Sequence, residues 1–215
     1  MEEVINYLIR WAHYFVGITW IGMLYYFNFV QTEYFKEAEA GARVDAFVKL
    51  APRALWWFRW GAAMTFLTGL YLVYVIHRSM SIDIVLSVVM AILMFLNVWL
   101  IIWPNQKLII ASNEQIQAGG EATPEAAAAA PKAALASRTN TLFSLPMLFL
   151  MGASNHFAHG GFGDKTNALI VGLIIIAAIE LNAIFGKQGP LTTVRGVIVS
   201  SFVLTAVFWA VVTWL

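Results

Sequence analysis

"IDIVLSVVMAILMFLNVWLIIWP", residues 82–104, is apolar almost without interruption. As a helix it reaches across the roughly 30 Å hydrocarbon core of a bilayer, for which about 20 residues suffice. Working outward from it, charged or Pro/Gly-rich breaks divide the chain into six such segments, about 4 to 30, 54 to 77, 82 to 104, 140 to 157, 166 to 186 and 196 to 215. Lipid offers an open backbone no partner, so each span is predicted to be helical. The expected fold is an all-α polytopic membrane protein, a bundle of about six transmembrane helices forming one transmembrane domain over residues 1–215.

Composition agrees. Of 215 residues 60% are hydrophobic and 12% charged, and the mean hydropathy is +0.74, far from the balance of a soluble domain. The net charge of +1, with basic residues scattered through loops, gives no footing for nucleic acid. No cysteine is present, which removes disulfides, thiolate metal sites and covalently attached c-type haem. The start, MEEV, is acidic where a secretory signal is basic, so the first apolar stretch reads as a retained helix. Residues 105–138 are expected to form an Ala-rich cytoplasmic loop on the membrane surface, in which Pro124 and Pro131 interrupt the tract "AGGEATPEAAAAAPKAALAS" and leave it able to be helical only in part.

Orientation follows from Lys and Arg. The first, third and fifth loops hold Lys36, Arg43, Lys49, Arg53, Arg59, Lys107, Lys132, Arg138, Lys187 and Arg195, against Arg10, Arg78 and Lys165 on the other side. The odd loops are therefore expected inside and both termini outside. In that topology all four histidines fall in the outer half.

Ionisable residues inside a membrane are costly and point to function. His13 stands in "RWAHYFVGITWIG", where Gly17 and Trp20 share roughly its face, a surface suited to a flat macrocycle with the imidazole free to bind iron. The alternative is a neutral histidine hydrogen-bonded to a neighbouring helix. His77, next to Arg78, is either a ligand or a snorkelling residue at the headgroup boundary. His156 follows Pro146, with Ser154 and Asn155 placed to orient its ring, whereas His159, among Gly160, Gly161 and Gly163, reads as part of a solvated exit. HxxH without a third ligand makes no case for zinc. Glu180 is a proton relay or a protonated carboxyl bonded between helices, and Arg53 and Arg59 beside Trp56 and Trp57 read as an interfacial anchor.

The pieces "HYFVGITWIGMLYYFNFVQ", "ALWWFRWGAAMTFLTG", "NVWLIIWPNQK" and "SRTNTLFSLPMLFLMGASNHF" together resemble the membrane domain of bacterial PuuD-type urate hydroxylases, the urate oxidase N-terminal family. The first-span pattern is also similar, more weakly, to protoporphyrinogen oxidases of the HemJ type. His13, Asn97, Pro104, Asn105, Gln106, Arg138, Asn140, Pro146, Asn155 and His156 match the family pattern, while His77 and His159 do not. The resemblance implies a multi-pass oxidoreductase of the bacterial inner membrane whose electrons go to a periplasmic cytochrome c. Full-length members carry a C-terminal cytochrome c domain; with no CxxCH here, the acceptor is expected to be a separate protein. Together with the histidine placement, it leads to an expected haem b held by His13 and His156 as iron ligands, with His77, Gly17, Trp20 and Asn155 around it. Were urate the substrate, Arg10, Arg78 and the outer asparagines are the expected donors. The competing reading is a cofactor-free accessory subunit that scaffolds other membrane subunits of a respiratory or transport complex.

Overall fold

A computed structural model describes all of residues 1–215, and it is helical throughout, without named strands. Six long helices follow one another. Helix α1 runs Glu2–Tyr25 and goes on through Tyr26–Gln31 and Thr32–Glu37. Then come α2 (Ala40–Ile76), α3 (Ile82–Gln117), α4 (Pro124–His156), α5 (Thr166–Phe185) and α6 (Val194–Trp214). Four of these, α2, α3, α5 and α6, are long and apolar enough to cross a membrane. Helix α1, rich in Tyr, Trp and Gly, and α4, with a polar middle, are less apolar but pack in the same bundle. We call the end holding the α2–α3 turn and the α4–α5 loop outer and the opposite end inner, after the charge asymmetry.

The bundle is a helical membrane protein inside out from a soluble one. Trp11, Tyr14, Phe15 and Ile18 of α1 and Phe202 and Val203 of α6 are exposed, as suits side chains that face acyl chains. Trp20, Leu24, Phe58, Leu86, Met90, Met94, Phe143, Ile176 and Phe208 fill the interior. Helices α1 and α2 form one closely packed antiparallel pair, in which Gly61 brings the backbones together: a Cβ there would lie 3.2 Å from the Trp20 nitrogen. Helix α4 is the centre of the remainder, packed against α3 and α6 and touching α5 and α1. Its run Arg138–Ser144 is buried at every position, so no face is left for lipid.

The expected loop over 105–138 is helix everywhere except residues 118–123. Alanine is the strongest helix former. Pro124 sits in the first turn, where a missing N–H costs nothing. Pro131 lies on an exposed face, where water can take the carbonyl it frees, so α4 continues through it and through Pro146. The reversal between α3 and α4 is made instead by Gly119, whose φ of 89° suits glycine. Three π-helical turns, Tyr26–Gln31, Ala46–Leu50 and Asn97–Ile102, interrupt α1, α2 and α3. Each extra residue rotates the face that follows, and two of the three carry a buried asparagine, Asn28 or Asn97.

Candidate functional site

At the outer end the four histidines occupy different environments. His13 is half-buried between α1 and α2, its Nδ1 2.8 Å from Thr68 Oγ1. The single Thr68 hydroxyl proton is donated to the Met64 carbonyl at 2.7 Å, so His13 Nδ1–H must be the donor to Thr68. Nε2 of neutral His13 is thus left as a free lone pair. Gly69 makes room for the ring, since a Cβ there would lie 3.3 Å from His13 Cε1. Gly17 is in open contact, a Cβ meeting Thr65 only at 4.0 Å. Trp20 is buried against Gly61 at 2% exposure and its indole N–H finds no acceptor.

His156 ends α4 and is exposed, without a hydrogen bond that would orient it. The neighbours expected to position it do not: Ser154 Oγ donates to its own helix at Met151 O, and Asn155 is exposed. Counting outward from the Tyr25–Ser144 hydrogen bond of 2.9 Å, His13 and His156 are each twelve residues on, about 18 Å along antiparallel helices. They share a depth, with no hydrogen bond between them. His77 is exposed and closes α2 by a 2.7 Å bond from Nδ1 to its own Tyr74 carbonyl.

His159 is not the solvated residue the glycines suggested. Its Nδ1 lies 2.7 Å from Asp83 Oδ1 and its backbone N–H donates to Oδ2 at 3.0 Å. Its side chain is 12% exposed and the Asp83 side chain 0%. The glycines turn the chain back at this exit, as their freedom allows. Gly160, with φ of 109°, places its carbonyl to accept from Ile82 N at 3.1 Å, and Gly161 pairs with Ser81. Asp83 and Thr68 are the partners that reading along the sequence missed. A lone carboxylate at the head of an apolar span was the available signal for Asp83.

Toward the inner half lies a second polar cluster centred on α4. Asn97 Nδ2 donates to Asn140 Oδ1 at 3.0 Å and to Glu180 Oε2 at 3.2 Å, and Asn140 Nδ2 donates to Met94 O at 2.9 Å. Asn28 donates to Ser137 Oγ at 2.8 Å. Glu180 is therefore bonded between helices, one of the two roles open to it. Arg59 is more than an anchor, since its guanidinium stacks 3.3 Å from the Trp103 ring centroid. Arg53 is exposed.

A family model described as urate oxidase N-terminal matches residues 78–215, well over half of the chain. The chain belongs to the urate oxidase N-terminal family. The match takes in Asp83, Asn97, Arg138, Asn140, His156, His159 and Glu180, hence the whole α3–α4–α5 polar cluster; His13 lies before it. The family description fits a urate hydroxylase-type membrane domain. Neither a curated relative nor a solved structure matches the chain.

Proposed function

We propose that this family member is the membrane part of a urate hydroxylase-type oxidoreductase of the bacterial inner membrane, holding b-type haem in its outer half and passing electrons to a periplasmic cytochrome c. The observation that supports it is the Thr68–His13 bond. It fixes the imidazole with Nε2 free, the second-sphere arrangement that iron-binding histidines use. The residues present suit such a group. Gly152, one turn before His156, borders open space, since a Cβ added there meets nothing within 4 Å, so a flat ring system can approach the α4 backbone beside that histidine. His13 would supply one imidazole and His156, at the same depth, the other. When bound, the haem supplies one-electron transfer; the chain's own part is to present the imidazoles, keep lipid-facing aromatics around them and place the site near the outer surface.

An oxidised-minus-reduced absorption spectrum of the purified chain, expressed with ample haem, tests this. A Soret band is expected, lost in His13→Ala and shifted in potential in Thr68→Val, which keeps the size of the side chain but removes its hydroxyl. Absence of any Soret band from the wild-type protein overturns the proposal. Co-purifying membrane subunits without haem would then favour the accessory-subunit reading.

A further inference from the structure

Near the inner end, α2 and α3 bring two cations to one indole ring with no acid beside them. The Cζ of Arg59 on α2 lies 3.3 Å from the ring centroid of Trp103 on α3, and Nζ of Lys107, one turn further along α3, lies 5.6 Å from the same centroid. The ring attracts both charges, but stacking leaves the in-plane N–H groups of the guanidinium unused. Arg59 Nε is buried without an acceptor, and so is the indole nitrogen of Trp99, whose ring centroid is 5.9 Å from Arg59 Cζ. Neither Arg59 nor Lys107 takes part in an ion pair; the inner acids that do pair, Glu33 and Asp45, pair with Lys36 and Lys49. Two like charges are thus held close together with donors left over, and both conditions call for an anion.

Depth decides which anion comes within reach. The turn at residues 77–81 joins α2 to α3, so equal counts along the two helices mark equal depths. Arg59 stands 18 residues before His77 and Trp99 18 residues after Ser81, about 27 Å from the turn at 1.5 Å per residue. A hydrocarbon core is about 30 Å thick, so these donors lie at its inner edge, where lipid phosphates stand. Trp103 and Lys107 lie one and two turns further toward the headgroups. The flank is open to lipid: Trp60, whose ring centroid is 5.9 Å from that of Trp99, is exposed, as are Trp56 and Trp57 beside it. Helix α2 packs closely on α1 and α3 on α4, so the two cations lie along the looser seam between α2 and α3.

We propose that Arg59, Lys107 and the Trp99 indole bind the phosphate of an anionic phospholipid from the inner leaflet, its acyl chains lying against Trp60 on the lipid-facing side of the seam. The guanidinium fork matches phosphate oxygens, the ammonium adds a mobile point charge, and the indole N–H supplies a neutral donor. Basic pockets between transmembrane helices recognise such headgroups, and indoles settle at this level of a bilayer. The bound lipid fastens α2 to α3 where their own contacts are few. The site is at the opposite end of the bundle from the histidines and owes nothing to haem.

The test is thermal unfolding of the purified full chain in a neutral detergent, titrated with phosphatidylglycerol. Phosphatidylcholine with the same acyl chains and inorganic phosphate are titrated in parallel. Phosphatidylglycerol should raise the Tm saturably. Phosphatidylcholine, whose own cation opposes those of the site, and free phosphate, which lacks the acyl chains, should not. Arg59→Gln and Lys107→Gln should each weaken the phosphatidylglycerol response by about tenfold or more, the worth of one charge-assisted hydrogen bond. Lys107 is exposed, so Lys107→Gln keeps the test open should Arg59→Gln not fold. Arg195→Gln, which removes an exposed inner cation outside the cluster, should leave the response unchanged. The proposal is overturned by a wild-type protein that does not respond to phosphatidylglycerol, by phosphatidylcholine or free phosphate acting as well, or by Arg59→Gln or Lys107→Gln keeping the full response. An equal loss in Arg195→Gln overturns it too, since general attraction to a charged surface then suffices. The readout is independent of any haem spectrum, so each proposal can fail without the other.

Discussion

Replacing Asp83 by Asn probes the fastening of the outer loop with almost no change of volume. The carboxylate accepts two hydrogen bonds from one residue, His159 Nδ1 at 2.7 Å and His159 N at 3.0 Å, at a site with 0% side-chain exposure. An amide can accept only one of them, and its NH2 must face the other donor. Losing one charge-assisted bond costs about 1.5–3 kcal/mol, and leaving a buried donor unpaired costs about 1–3 kcal/mol more. Part of this is recovered if His159 turns its ring, so about 3 kcal/mol is the expected local effect, close to a hundredfold at 1.4 kcal/mol per decade. The two backbone bonds Ile82 N to Gly160 O and Phe162 N to Met80 O remain, so the loop loosens while the bundle persists. Hydrogen exchange followed by mass spectrometry should show residues 157–163 exchanging roughly a hundredfold faster in Asp83→Asn, with α4 below residue 150 unchanged. In a double-mutant cycle with His159→Ala, a coupling energy of about 1.5–3 kcal/mol is expected. Exchange within threefold of wild type, or a coupling under about 0.5 kcal/mol, refutes the assignment of Asp83 as the clasp.

Asn97→Leu strands two acceptors, Asn140 Oδ1 and Glu180 Oε2, and should cost about 2–4 kcal/mol in thermal unfolding; Glu180→Gln, which keeps the acceptor, should cost less than 1 kcal/mol, about a single ordinary hydrogen bond. Equal losses from the two would show that the Asn97–Glu180 bond is not what holds α3 to α5. Gly61→Ala puts a Cβ 3.2 Å from the Trp20 backbone, which cannot step aside, and should destabilise the α1–α2 pair by about 1–3 kcal/mol. Gly172→Ala meets the end of Leu86 at 2.7 Å, a side chain able to change rotamer, so its Tm should fall by less than that of Gly61→Ala.

The polar cluster shapes α4. A helix that is buried all round is ordinarily apolar all round, yet the buried run of α4 reads RTNTLFS. Its polar groups fasten three other helices: the Ser144 side chain bonds Tyr25 of α1, the Asn140 side chain bonds Asn97 and Met94 of α3, and the Thr141 backbone carbonyl accepts from Ser201 of α6. In a medium with no water to compete, such bonds give the bundle its register, a role that interchangeable apolar contacts fill less selectively. Arg138 stands in this run as its one charged member, and it has no partner.

The family and the membrane character were legible along the chain, because mean hydropathy and short motifs are local properties that no folding is needed to evaluate. The segment 82–104 announces a span by itself, and "NVWLIIWPNQK" and "SRTNTLFSLPMLFLMGASNHF" carry the family in their order of residues. Partial helicity of the Ala-rich tract was legible from alanine propensity; that the helix runs on through Pro131 was not, since it depends on that turn being exposed. The pairing of polar groups was not. His156 and His159 differ by three positions and sit in the same glycine-rich exit, yet one is exposed and the other is clasped by a carboxylate 76 residues earlier. Arg138 looked like one more loop cation until α4 extended past it and the packing of α1, α3 and α6 enclosed it. Hydropathy decides which segments leave water, one segment at a time. Which buried hydrogen bonds are then made, and which are left unmade, depends on distances between helices, and those exist only once the bundle has closed.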